Sequence, residues 1–87
     1  MKYLIVRYDY SSGENGHPGM VVLGVQKRTD EDAIHNYFRR FFFQDTETEE
    51  KARYYTNKYA GASVKITGWN EIPRDDAMVL KKYGLYA

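Results

Sequence analysis

The regular alternation of side chains near the N-terminus is the feature that most constrains the fold. Between Lys2 and Tyr10, successive residues point to opposite sides of an extended chain. The two sets are Leu4, Val6, Tyr8 and Tyr10 on one side, and Tyr3, Ile5, Arg7 and Asp9 on the other. This period of two residues predicts a β-strand.

A second strand is predicted from Met20 to Gln26, where Val21, Leu23 and Val25 share one side. The intervening segment, Ser11–Gly19, consists of residues that are typical of turns. It is long for a hairpin loop, so we expect it to be mobile. We expect the two strands to pair as an antiparallel hairpin.

The first helix is predicted to begin at Thr29, whose hydroxyl can cap the free backbone amides. Three acidic residues follow it, at the positive end of the helix dipole. The apolar stripe that should pack on the sheet is Ile34, Tyr37, Phe38 and Phe41.

A second helix, or a kinked continuation of the first, is predicted over Lys51–Ala60. The pairs Glu47–Lys51 and Glu49–Arg53 have the i,i+4 spacing of helical ion pairs. Gly61 would close this helix.

A third strand is predicted over Ala62–Trp69, with Val64 and Ile66 towards the core and Lys65, Thr67 and Trp69 facing away. A short last helix should begin at Pro73 and end at Gly84.

The whole chain, residues 1–87, therefore reads as a single α+β domain of order β-β-α-(α)-β-α. We expect a small antiparallel sheet, made of the hairpin and a third strand, with two to three helices on one face. The pattern leaves open whether the third strand lies beside the first or the second. It also leaves open whether Asp30–Ala60 is one helix or two.

The composition excludes several classes of protein. The 13 Lys and Arg nearly balance the 12 Asp and Glu, so a net charge of +1 gives no global field for a phosphate backbone. The absence of cysteine excludes a disulfide framework, a thiolate zinc site and a cysteine nucleophile. No secretory signal or membrane-spanning segment is recognisable, which predicts a cytoplasmic protein without membrane contact.

No set of residues predicts catalysis. Neither His17 nor His35 has a second histidine four residues away, as a helical zinc pair requires. The acidic pairs Asp75–Asp76 and Glu49–Glu50 lie in predicted first turns of helices, where acids are expected for capping. We therefore predict no catalytic residue, no metal site, no cofactor and no enzymatic activity.

Aromatic residues are abundant, with nine Tyr, four Phe and one Trp. A chain of this size buries only roughly 60–65% of the surface that it exposes when unfolded, so some rings should be exposed. The candidate partner-binding residues are Arg39, Arg40, Phe42 and Phe43, because exposed aromatics beside arginines are typical of interface hot spots. Alternatively, Phe43 packs under the segment that follows the helix.

A second candidate is an aromatic and basic sheet face built from Tyr3, Arg7, Lys65 and Trp69. Such a face would suit single-stranded nucleic acid, with rings stacking on bases and cations on phosphates. Alternatively, the last helix covers this face and uses Trp69 as core. The Ser11–Gly19 loop is an accessory candidate contact.

The helix start Thr29–Ile34 and the later return strand Val64–Gly68 form a hairpin–helix–strand layout together with the hairpin. In this layout the chain resembles small phage-encoded inhibitors, which include anti-CRISPR proteins and inhibitors of host RNA polymerase. The resemblance implies a protein that blocks a host machine by surface contact, without cofactor or catalysis.

We therefore expect a non-catalytic protein-binding inhibitor or adaptor, as a monomer or homodimer. Its partner is expected to be a protein, including the option of a host nucleoprotein complex. The alternative is a nucleic-acid-binding module. A third possibility is a homo-oligomer that buries surplus aromatics between copies.

Overall fold

The computed structural model describes residues 1–41, 47–50, 54–57 and 61–84. Within these residues, the elements are β1 (Lys2–Ser12), β2 (Asn15–Val25), α1 (Asp30–Phe41), β3 (Glu47–Glu50), β4 (Tyr54–Asn57), β5 (Ala62–Ile72) and α2 (Arg74–Lys82). The strands form one antiparallel sheet in the order β2-β1-β5-β4-β3. The predicted α+β class is confirmed, whereas the predicted element order is not.

The hairpin is longer and its turn tighter than predicted. β1 and β2 pair without interruption from Lys2 opposite Val25 to Ser12 opposite Asn15. The turn between them has two residues, and Gly13 at its first position has φ +62°, as a type II′ turn requires. The prediction of a long loop over Ser11–Gly19 is wrong, because residues with weak strand propensity are held in the ladder by pairing.

The third strand, β5, pairs with β1 on the side away from β2, which settles the question that the sequence left open. Its register against β1 shifts once. Arg7 lies opposite Gly68 and Tyr8 lies opposite Ile66, so Thr67 is an additional residue, in a β-bulge. A bulge reverses the alternation of side chains beyond it.

This reversal relocates Trp69. Before the bulge Ile66 faces the core and Lys65 is exposed, as predicted. After it, Trp69 lies opposite Val6 and packs against the same core cluster. The prediction that Trp69 faces away from the core, together with Lys65, is wrong because the alternation does not continue through the bulge.

The predicted helix over Lys51–Ala60 is also wrong where the structure describes it. Tyr54–Asn57 is the strand β4, and Tyr55 is fully buried opposite Val64. Burying such a side chain contributes about 1.5–3 kcal/mol, against about 0.2–0.5 kcal/mol for a helical ion pair. Gly61, with φ +62°, lies in the turn before β5 instead of closing a helix.

The two helices pack on opposite faces of the sheet, which corrects the expectation that they share one face. α1 packs on the face that carries Leu4 and Val6, together with Ile34 and Phe38 of its own stripe. α2 packs on the other face through a smaller cluster of Ile5, Val22, Ala77 and partly buried neighbours. The central strands are apolar on both faces, so both need a cover.

The ends of both helices agree with the sequence predictions. The backbone amide of Asp32 donates to Oγ1 of Thr29 at 3.1 Å, which is the predicted N-terminal cap. Lys2 forms an ion pair with Asp30 at 2.5 Å, which joins the start of α1 to β1. At the end of α2, Gly84 has φ +77° and donates its amide to the carbonyl of Lys81 at 3.1 Å.

Gly19 generates a prediction about stability, because the ring of Tyr8 lies over it. A Cβ at position 19 would lie 2.5 Å from Cζ of Tyr8, whereas a Cβ at Gly16 would meet its nearest atom at 3.4 Å. The Tyr8 ring also packs edge-on against Phe38 at 5.2 Å, which restricts its escape. We expect Gly19→Ala to lower the free energy of unfolding by about 1–3 kcal/mol.

The measurement is urea unfolding of both variants followed by circular dichroism. The matched control, Gly16→Ala in the same strand, should change stability by less than about 0.5 kcal/mol. Equal effects of the two substitutions would show that the Tyr8 ring moves aside at little cost.

Candidate functional site

α2 covers only part of its side of the sheet, and several side chains beyond it are exposed. We call this exposed part the open face. It consists of Arg7, Asp9, Met20, Lys65 and Thr67. Met20 lies opposite Arg7, and Lys65 lies opposite Asp9, so the pairing of β2, β1 and β5 places these side chains together.

Two open depressions meet on this side of the sheet. The first, of about 380 Å³, lies between β1 and β2, and its walls include Asp9, Pro18 and Met20. The second, of about 350 Å³, lies between the sheet and α2, where Val79 is on its rim. Arg7 lines both depressions, so this guanidinium lies at the junction of the two.

Asn70 fixes the position of the Arg7 side chain. Nη1 of Arg7 donates to Oδ1 of Asn70 at 2.9 Å, and Nδ2 of Asn70 donates to the carbonyl of Glu71 at 3.3 Å. A guanidinium has five N–H donors, so most of them are available to an incoming acceptor. Its planar geometry favours a carboxylate that accepts two hydrogen bonds.

Exposed apolar side chains flank Arg7 on both sides. Met20 is 40% exposed on β2, and Val79 is 50% exposed on α2. Asp9 lines the first depression and Asp76 the second, so the surroundings of Arg7 are mixed in charge and not uniformly basic. The arrangement can bury apolar groups of a partner on either side of a directional hydrogen bond.

Sequence reasoning included Arg7 but missed Met20, Asn70 and Val79. The hairpin register could have placed Met20 beside Arg7, because the pairing of β1 with β2 is continuous. Asn70 and Val79 could not have been found in this way. The bulge at Thr67 shifts the face of Asn70, and α2 reaches this face only through tertiary packing.

The predicted nucleic-acid face is divided by the structure. Arg7 and Lys65 are exposed on the open face. Tyr3 is half-buried and packs in the cluster under α2, whereas Trp69 packs on the α1 side. The alternative that the last helix covers this face holds for Tyr3, but Trp69 becomes core on the opposite side.

The other predicted contacts are only partly described. Arg39 is exposed on α1, and Arg40 lies in the same helix. Phe42 and Phe43 lie outside the described residues. The Ser11–Gly19 segment, predicted as an accessory loop, belongs to the hairpin turn and its strands.

Most of the described aromatic side chains serve the core on the α1 side. Phe38 is fully buried, with ring centroids of Tyr8, Tyr37 and Tyr55 at 5.2, 5.1 and 5.6 Å from its own. Among the aromatic side chains whose exposure the structure describes, which do not include Phe41, Tyr83 is exposed and the others are half-buried or buried. The expected surplus of exposed rings is therefore wrong for this part of the chain.

Within the described part of the chain, neither histidine belongs to a set of metal ligands. Nδ1 of His17 lies 3.3 Å from the carbonyl oxygen of Pro18, and Nδ1 of His35 lies 3.4 Å from the hydroxyl of Tyr55. Among residues 1–41, 47–50, 54–57 and 61–84, no three His, Asp or Glu converge as they would around an ion. In the same ranges, no helix is long and apolar enough to cross a membrane.

Comparisons with known protein families, with curated proteins and with solved structures gave no match.

The tyrosines on the α1 side predict a pH dependence of stability. Burial raises the pKa of Tyr8 above its ordinary value of 10.0. Burial, and secondarily the charge of Tyr8, raises the pKa of Tyr37. The unfolded chain therefore releases these protons at a lower pH than the folded chain, so stability is retained below about pH 10 and falls above it.

The test is the free energy of unfolding at about pH 9 and about pH 11. We expect the Tyr8→Phe, Tyr37→Phe double variant to lose less stability over this interval than the wild type. The control is Tyr83→Phe, because Tyr83 is 76% exposed. A double variant with the wild-type slope would mean that other groups produce the alkaline loss.

Proposed function

We propose that this chain is a non-catalytic protein-binding inhibitor or adaptor, and that Arg7 is its principal contact. The observation that carries the proposal is the position of Arg7 between two depressions and between two exposed apolar side chains, Met20 and Val79. An arginine flanked by exposed apolar side chains is typical of interface hot spots.

The shape of the site favours a macromolecular partner. The depressions have volumes of about 380 and 350 Å³ and open to solvent along the sheet. Sites for small molecules bury most of the ligand surface. These open depressions would leave much of a small ligand exposed, whereas a macromolecular partner could span both of them. We propose a protein segment with a carboxylate for Arg7 and apolar side chains for the flanking depressions.

Arg39, Arg40, Phe42 and Phe43 are a second proposed contact. Arg39 is exposed there. Arg7 lies on the α2 side of the sheet, whereas Arg39 is on α1, which packs on the other side, so each contact can be tested alone. The proposed mode of action is that of the phage inhibitors that the layout resembles, with a host nucleoprotein complex as one class of target.

The test compares charge-reversal variants in partner capture from the organism that encodes the chain. We expect Arg7→Glu to lower the affinity for the captured partner at least about 30-fold, which corresponds to about 2 kcal/mol of binding free energy. Because Arg7 is exposed, the melting temperature of the Arg7→Glu variant should stay close to that of the wild type.

The matched control is Arg28→Glu, because Arg28 is exposed between β2 and α1 and lies outside both depressions. Arg39→Glu tests the second contact in the same assay. If Arg7→Glu retains the partner and Arg39→Glu loses it, the principal contact is on α1 and not at Arg7. Retention by all three variants would contradict both contacts.

The alternative function, nucleic-acid binding, is favoured by one observation, the exposure of both Arg7 and Lys65 on the open face. Two cations that contact phosphates should make affinity fall steeply with salt concentration. The carboxylate of Asp9 disfavours phosphate binding at this place, because Asp9 lies opposite Lys65.

Gel-shift titrations at several salt concentrations, with single- and double-stranded probes, distinguish the two functions. Under the protein-binding proposal we expect no shift even at low salt. Binding that weakens with salt, with a slope reduced by about one on Lys65→Ala, would support the alternative function instead.

A further inference from the structure

β2 is an edge strand of the sheet, and one stretch of it lacks the features that prevent pairing. It pairs with β1 on one side and has no strand on its other side among the described residues. From Gly19 to Val25 it contains no charged residue. Natural proteins usually protect such edges with charges, prolines or bulges.

The other edge of the described sheet is protected. β3 has three glutamates among its four residues, Glu47–Glu50. Two copies of β3 would therefore repel each other, whereas two copies of the Gly19–Val25 stretch would not. Charge thus favours pairing through β2 over pairing through β3.

The hairpin register shows which backbone groups of β2 point outwards. The two-residue turn makes Ser12 and Asn15 a hydrogen-bonded pair, and such pairs alternate along an antiparallel ladder. Counting along the ladder, the residues whose N–H and C=O point away from β1 in the uncharged stretch are Met20, Val22 and Gly24.

Pro18 limits this stretch at one end. It is the next outward-facing position before Met20, and it has no N–H to donate. At the other end β2 stops at Val25. The window available for pairing is therefore Gly19–Val25, and its central residue is Val22.

We propose that β2 pairs antiparallel with β2 of a second copy of this chain, across a two-fold axis at Val22. This register matches each outward-facing residue with another one, because Val22 meets its own copy and Met20 meets Gly24. Each of these pairs exchanges two hydrogen bonds.

The side chains also fit this pairing. Met20 is 40% exposed in one copy, and Gly24, also exposed, would lie directly opposite it in the other. The methionine can cover the glycine across the interface, as the Tyr8 ring covers Gly19 within one copy. Since Met20 belongs to the open face, the pairing would bring the open faces of the two copies next to each other.

The first experiment measures mass in solution by sedimentation equilibrium. We expect a dimer of twice the 10.2 kDa of one chain. Gly24→Pro removes an outward-facing N–H within the window and should raise the dimer dissociation constant on the order of tenfold or more. The matched control is Gly16→Pro, which removes an outward-facing N–H outside the window and should leave the constant unchanged.

A second variant keeps the proposal testable if Gly24→Pro does not fold. Met20→Lys adds a charge at an exposed position of the edge and should also weaken the dimer. Val79→Lys, at a position 50% exposed on α2, is its control.

The register is tested by oxidative cross-linking, since the chain has no cysteine of its own. Met20→Cys mixed with Gly24→Cys should give a cross-linked dimer, because these positions lie opposite each other. Either variant alone should not, because its two cysteines lie about 13 Å apart along the strands.

A wild-type chain that sediments as a monomer at every concentration would overturn the proposal. This holds even if a different peptide is found to pair with β2. A dimer that responds to Gly16→Pro and not to Gly24→Pro would overturn it as well.

Discussion

Pairing of β1 along both of its edges holds the hairpin and β5 together in one sheet. β1 is antiparallel to β2 on one side and to β5 on the other, over nearly its whole length. Its side chains are apolar towards both faces near its start, where Leu4 and Val6 point to α1 and Ile5 points to α2. A strand of this kind requires a cover on each side, and the two helices provide it.

The bulge at Thr67 determines what the surface can do. By reversing the alternation of β5, it brings Trp69 to the α1 side and turns Asn70 towards Arg7. The sheet thereby loses an aromatic ring from its α2 side and gains an amide that orients a guanidinium. One inserted residue therefore removes a stacking ring from the open face and leaves a surface of mixed charge, in which Asn70 holds the guanidinium of Arg7.

The aromatic content is explained mainly by the core on the α1 side. A small chain can cover a sheet with one helix only if its side chains are large, and Phe38 with its three tyrosine neighbours fills that space. Partial burial of Tyr8 and Tyr37 raises the pKa of their phenol groups. Within the described residues, the aromatic side chains therefore contribute mainly to core packing and less to an exposed binding surface.

Elements whose signals are local could be predicted from the order of residues alone. These are β1 from its alternation, α1 from the Thr29 cap and its apolar stripe, and α2 from Pro73 and Gly84. The tertiary structure alone decided the strand β4, the faces of the helices and the open face around Arg7. The physical reason is that ladder pairing and burial of side chains such as Tyr55 outweigh local propensities, and both depend on residues far away in the chain.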